Sequence, residues 1–411
     1  MSSRRMRIAA LTVLLASVAT GALAQELKAE VIHWWTSGGE SAAVKVFADQ
    51  FAKAGGTWID TAIAGGVNAR TAAINRVVGG KPPTAMQFNT GKQFDELVEN
   101  NMLADLDDVA AEGNWKKVVP PAFIDAVSRK GKIYAVPINI HGQNWLFYNR
   151  AVFEKAGVQA PATFDELLAA LEKIKATGVV PLAFSGQKNW ERLLFNTALV
   201  GTAGRDVFLT VYGKRDDALV RGPAFKQAAE TFIKLKSYVD AGAAGRNWND
   251  ATAMVITGKA GMQFMGDWAK GEFISAGLTP GKEYGCTVVG QGYMMGGDVF
   301  AFARTSDAAQ VRAQKTLAKV MFAPDTQIAF NAKKGSIPIR TDVDGSSLDV
   351  CAQAGMKMVA DPARQVPDIN LVAEPALVGA LDDVISEFWN APSPRVDAFI
   401  AKFAQTLKSA L

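Results

Sequence analysis

Trp34 and Trp35 close an extended, β-rich segment that begins at Glu30, and a Ser37-Gly38-Gly39 turn then leads to Glu40. Indoles beside a carboxylate suit a sugar: a pyranose ring has apolar C–H faces that lie on an aromatic plane, and its hydroxyl belt needs charged or amide partners. Strand ends are also where ligands of α/β sheets collect. Alternation along a strand sends the two indoles to opposite faces, so at most one is expected to lie flat on a ring. By propensity alone, both could equally be core.

Bond-breaking chemistry finds little support. Cys-x-x-Cys, His-Glu-x-x-His and Gly-x-Ser-x-Gly are absent, and the histidines are His33 and His141 alone, too few for a histidine-rich metal site. The stretch from Gly277 to Lys282 lacks the spacing and the hydroxyl of a phosphate loop, and Gly290-Gln291-Gly292 with Gly296 has one residue too many for a dinucleotide fingerprint. Both are expected to be plain turns. No cofactor and no metal is expected.

Around these residues, strand-like segments alternate with amphipathic helices, which predicts an α/β fold with a mostly parallel sheet covered by helices. A helix after Glu40 would carry Val44, Phe47 and Phe51 on one face and stop at Gly55-Gly56. Thr163 with Glu166 three residues on forms a capping box for a helix bearing Leu167, Leu171 and Ile174, which ends before Gly178. Near the C-terminus, Val396, Phe399, Ile400, Phe403 and Leu407 form one apolar stripe that should dock on a core.

The whole sequence of 411 residues, 49% hydrophobic and 20% charged, is that of a soluble globular protein of two or three domains. Its formal charge of +4 includes Arg4, Arg5 and Arg7. These precede an apolar run from Ile8 to Ala19 and the small residues of Ala22-Leu23-Ala24, the pattern of a secretory signal cut after Ala24. Arg4-Arg5 leaves a twin-arginine route open beside the general one. Once those arginines are removed the charges nearly balance, so no nucleic-acid partner is expected. In an oxidising compartment the isolated pair Cys286 and Cys351 is expected to bridge, the alternative being two buried thiols.

Four stretches carry a resemblance: EVIHWWTSGGE at 30–40, YAVPINIHGQNWLFYN at 134–149, GKAGMQFMGDWAKGE at 258–272 and KKGSIPIR at 333–340. In this order, and with both cysteines in register, the chain resembles the periplasmic solute-binding proteins of bacterial ABC sugar importers, closest to the glucose and monosaccharide branch. The resemblance covers nearly all of the chain after Ala24. It implies two α/β lobes, a hinge and three crossovers, near Pro137 to Asn139, Thr287 to Gly290, and Ser336 to Thr341. One lobe would take residues 25–136 and 290–336, the other 137–289 and 337–411.

The resemblance also implies a sugar site between the lobes: Trp34, Trp35 and Glu40 from the first, Trp268 as an aromatic wall from the second, and Asp298 with Lys334 gripping ring hydroxyls. His141 falls in the crossover stretch. Two positions depart from the pattern. Asn89, preceded by Gln87, stands where the glucose branch has a lysine, and Asn370 or Glu374 stands where it has a late histidine. The implied function is periplasmic capture of a hexose and delivery to the permease subunits of an inner-membrane transporter, by a monomer that is not an enzyme. A disaccharide or short oligosaccharide is the alternative ligand. A secreted glycosidase would use Glu40 and Asp298 as its carboxyl pair. Against it, Lys334 nearby would hold a carboxylate ionised and spoil a general acid.

Overall fold

The computed structural model describes residues 27–409; the segment read as an export signal lies outside them. Three small sheets organise the chain. The first has the order Gly56–Ala62, Leu27–His33, Ala85–Asn89, Asp298–Ala301, Ala135–Pro137; the second has Tyr284–Val288, Trp145–Asn149, Ala260–Met265, Val180–Leu182. Between them lies a third: Ile337–Pro338, Asn139–Gly142, Tyr293–Gly296, Gln365–Pro367.

Continuity of the chain explains the arrangement. Ala135–Pro137, Asn139–Gly142 and Trp145–Asn149 are successive strands of the first, third and second sheets, and Tyr284–Val288, Tyr293–Gly296 and Asp298–Ala301 return through the same three in reverse. Two oppositely directed strands therefore thread all three sheets. This is the connection between two α/β lobes.

In each lobe sheet the strands run mostly in one direction, as the alternation of elements predicts, with a single strand reversed. The strands Leu27–His33, Gly56–Ala62 and Ala85–Asn89 are parallel, but Asp298–Ala301 runs against its neighbours because it arrives from the other lobe. In the second sheet, Trp145–Asn149 is antiparallel to both of its partners for the same reason. The second passage also falls later than expected. Thr287 and Val288 finish a strand of the second sheet, and the chain passes the connecting sheet at Tyr293–Gly296.

Local signals act as their chemistry predicts. The first helix, Gly38–Lys53, buries Val44, Phe47 and Phe51, and the expected turn at Ser37 proves to be its N-cap. Thr163 and Glu166 close a capping box on Phe164–Ala176. The last helix, Val396–Ser409, buries Phe399, Ile400, Phe403 and Leu407 in the core of the second lobe. Cys286 and Cys351 are bridged, tying the edge strand of the second sheet to the helix Val350–Val359. Among the described residues no helix is long and apolar enough to cross a membrane.

Candidate functional site

Strand ends and helix ends together place the site. Asp298 opens its strand directly opposite Asn89, which ends the neighbouring one, so side chains more than 200 positions apart meet on one edge of the first sheet. Asp298 is 3% exposed, a burial that an ionised carboxylate tolerates only when its oxygens are occupied. Gln87 Nε2 donates to Oδ1 at 3.0 Å; Asn139 Nδ2 and His141 Nε2 donate to Oδ2 at 3.1 and 2.8 Å. Gln87 Oε1 in turn accepts from the backbone N–H of Trp34 at 3.0 Å, which fixes where that indole begins.

His141 is the centre of a charge sandwich. Its Nδ1 bonds Asp267 on the opposite side from Asp298, and Asp267 Oδ2 accepts from the backbone N–H of Gly142 at 2.8 Å. Burial by itself would push the imidazole pKa down, but the two carboxylates outweigh it and hold the pKa at about 9. The ring is therefore an imidazolium at neutral pH. For Asp298, burial works to raise the pKa, and His141 and Lys334 together with the Asn139 bond hold it below the usual carboxylate range. The resemblance makes His141 a ligand contact. Here both ring nitrogens are committed to protein carboxylates, so the residue positions Asp298 and has no ring donor left for a ligand. Gln87 is engaged at both ends of its amide as well, with one Nε2 N–H beyond those two bonds.

Glu40 has two tasks. Its Oε2 accepts from the N–H groups of Thr36 and Ser37 at 3.2 and 3.4 Å, the reciprocal half of a capping box, while Oε1 accepts from Lys334 Nζ at 3.2 Å. Lys334 is 2% exposed, and its Nζ lies 5.7 Å from both the Trp35 and the Trp268 ring centroids, within cation–π range of both.

The tryptophan pair separates as alternation requires. Trp35 is core, packed on Phe47, Phe300 and Phe330, and presents no free face. Trp34 is half-buried, with the Arg70 guanidinium over its ring at 5.9 Å. On the other side, Trp268 meets His141 edge-on at 5.1 Å and Trp190 at 5.8 Å. The indole N–H groups of Trp190 and Trp268 are buried without an acceptor among the described residues, two donors that a hydroxyl could satisfy.

Asn89 is half-buried at the strand end, its backbone N–H held by Gln93 Oε1 at 3.0 Å. Asn370 lies at the rim, donating to Asp368 Oδ1 at 2.5 Å and accepting from Gln93 Nε2 at 3.4 Å. Glu374 pairs with Lys92 at 2.5 Å on the exposed rim. Near Lys334 the two sides also meet: Glu272 Oε1 accepts from the Gly39 N–H at 2.8 Å, and a Cβ on Gly39 would lie 2.5 Å from the Gly271 carbonyl carbon. The lobes are in contact on both sides of the site, as in a closed receptor. Residues not foreseen are Arg70, Asn139, Trp190, Asp267 and Glu272. Only Trp190, in a Lys-Asn-Trp helix start, carried an aromatic signal comparable with those that were.

Residues 35–327 match the family described as bacterial extracellular solute-binding protein. A "probable sugar-binding periplasmic protein" of Rhizobium meliloti (strain 1021) is 41% identical over 84% of this chain and 83% of its own length. Among solved structures, a chitin oligosaccharide binding protein superposes with a TM-score of 0.81 at 20% identity, covering 94% of this chain and 99% of that one. A bacterial solute receptor with a reported exclusive preference for β-D-galactopyranose gives 0.77 at 17% identity, covering 92% and 97%. At such identities the two structures speak for the fold.

Proposed function

The chain belongs to the bacterial extracellular solute-binding proteins, and from that premise we propose that it is the periplasmic sugar receptor of an ABC importer, which captures a carbohydrate between its lobes and presents it to a membrane permease. The observation that supports this best is the convergence of aromatic and charged side chains from two lobes on one cleft. Trp34, Glu40, Asp298 and Lys334 lie on the first lobe and Trp190 and Trp268 on the second, with two indole donors free. Apolar planes beside fixed charges are what ring faces and hydroxyls need.

The lobes we assign are 27–138 with 297–336, and 143–292 with 350–409, the connecting sheet serving as hinge. Closure buries the ligand, and because only the closed form contacts it from both sides, binding energy shifts the open–closed equilibrium. The site forms and breaks no bond: Asp298 is kept ionised by His141 and is not poised as a general acid, and both oxygens of Glu40 are taken up by Lys334 and by the helix cap. A hexose or a related monosaccharide is the ligand class favoured, and a disaccharide or short oligosaccharide the alternative.

The test is a thermal-shift screen against hexoses, pentoses, polyols, disaccharides and short oligosaccharides. A ligand at 100 times its Kd adds about 2.7 kcal/mol of stability, so a true ligand should raise the melting temperature by several degrees and saturate. No response from any carbohydrate would overturn the reading. Sustained release of product from an aryl glycoside would replace it with the glycosidase.

A further inference from the structure

Arg70 is a half-buried arginine with no counter-ion among the described residues. Arg76, Arg129, Arg192, Arg246 and Arg340, half-buried like it, each hold a carboxylate: Glu30, Asp95, Asp382, Asp240 and Asp342 respectively. Among the described residues no carboxylate lies within ion-pair distance of Arg70. The charge facing it is the guanidinium of Arg192, and burial together with that like charge pushes its pKa down to about 10, still protonated at neutral pH.

Its place is the sugar cleft. Trp34 follows the end of the strand Leu27–His33, and Gly65-Gly66 follows the end of its parallel neighbour Gly56–Ala62, so the helix Gly66–Val78 starts at the same sheet end as the indole. Gly66 makes room for the guanidinium to lie against that indole: a Cβ there would sit 3.3 Å from Arg70 Nη1 and 3.5 Å from the Trp34 ring. Opposite, Arg192 shares the start of the helix Lys188–Ala203 with Trp190, which leans on Trp268.

Resting on the receptor reading above, we propose that the sugar carries a carboxylate, as a hexuronic acid does, and that Arg70 is the residue that receives it. A guanidinium held beside an indole face, with no carboxylate of its own, keeps its planar N–H fork free to meet both oxygens of a carboxylate. The pyranose ring would then lie against Trp268 and Trp190 with its hydroxyls toward Asp298 and Lys334. Arg192 already holds Asp382, so of the two facing guanidiniums only that of Arg70 is without a carboxylate, and a single free guanidinium suits a monoanion better than a phosphate dianion.

Isothermal titration of protein purified from periplasmic extracts should compare D-glucuronate, D-galacturonate and D-mannuronate with D-glucose, D-galactose and D-mannose, with glucose 6-phosphate as a further arm, at neutral pH, where a uronate is ionised. One uronate is expected to bind at least tenfold tighter than its parent hexose. Arg70→Met should move the uronate-to-hexose affinity ratio about tenfold to a hundredfold toward the hexose, the range for one charge-assisted contact. Arg70→Lys, which keeps the charge without the fork, should fall between. The melting temperature without ligand reports folding of both variants. A hexose that binds as tightly as every uronate, a sugar phosphate that binds tighter, or variants that leave the ratio unmoved would each overturn the proposal while leaving the receptor reading intact. If no sugar of any kind binds, both fall.

Discussion

The sandwich of His141 between Asp267 and Asp298 predicts a pH dependence of stability with a definite sign. The imidazole is raised from about 6.5 in the unfolded chain to about 9 in the folded one. Its contribution is therefore fully present below about pH 6.5 and is lost as the pH climbs through about 9. At roughly 1.4 kcal/mol per pH unit of difference, the whole effect is about 3 kcal/mol. Asp298 acts in the opposite direction: its pKa is lowered, so its contribution disappears as the pH falls below the carboxylate range, which leaves the alkaline decline to the histidine. Lys334 is the other cation facing Asp298. The assay is favoured by composition, since the chain has two histidines and a His33→Gln variant assigns their ring protons in a proton NMR titration. His141 should titrate with a midpoint near pH 9, and urea unfolding from pH 6 to 10 should lose about 3 kcal/mol over the same interval. Asp267→Asn should move the midpoint down, because one of the two stabilising charges is gone. A His141 midpoint at or below pH 7 in the parent protein would refute the sandwich.

Asp298→Ala and Lys334→Ala should each weaken sugar binding by about 2 to 4 kcal/mol, roughly thirtyfold to a thousandfold, because each leaves a buried charged partner unmatched; Lys173→Ala on an exposed helix face is the control, and parental affinity in both site variants would move the site elsewhere. Trp34→Ala and Trp268→Ala should weaken binding with little loss of stability in ligand-free Trp34→Ala, whereas Trp35→Ala should lower the ligand-free melting temperature, since it empties the space among Phe47, Phe300 and Phe330 and truncations of this kind cost about 3 to 5 kcal/mol. Thiol titration of the denatured, unreduced protein should find no free sulfhydryl at Cys286 or Cys351, and a count near two would contradict the bridge.

What the sequence disclosed and what it withheld divide along a physical line. Signals confined to a few neighbouring residues were legible: the capping box at Thr163 and Glu166, the apolar stripe of Val396–Ser409, and the alternation that puts Trp34 and Trp35 on different faces. The resemblance supplied Asp298, Lys334 and Trp268, which local patterns alone could not have distinguished from surface charges and core aromatics. Arg70 looks like any helix-surface arginine until the opposite lobe is in place and the missing carboxylate becomes visible. The two partners of His141 lie 126 and 157 positions away, so its role depends on non-local contacts. Similarly, the glycines at 290 and 292 mark a turn before the second passage, and the passage itself is a four-residue strand with no signature of its own.

That histidine also bears on how grip and closure are joined. His141 lies on Asn139–Gly142, a strand of the connecting sheet, yet its bonds run to Asp298 at the start of a first-sheet strand and to Asp267 just beyond a second-sheet strand. Rotation of one lobe against the other about that sheet moves one carboxylate relative to the other, with the imidazolium between them. The carboxylate proposed to meet the sugar is thus held by a group whose second bond depends on lobe position. A ligand that bonds Asp298 in the closed form therefore draws on the same network that sets the closed angle, and differential contact of this kind is what lets a ligand shift a conformational equilibrium. Asp267→Asn removes the charge from the link to the second lobe and weakens it while leaving the Asp298 carboxylate in place, so its effect on closure, read by small-angle scattering with and without sugar, should exceed its effect on the affinity of the closed site.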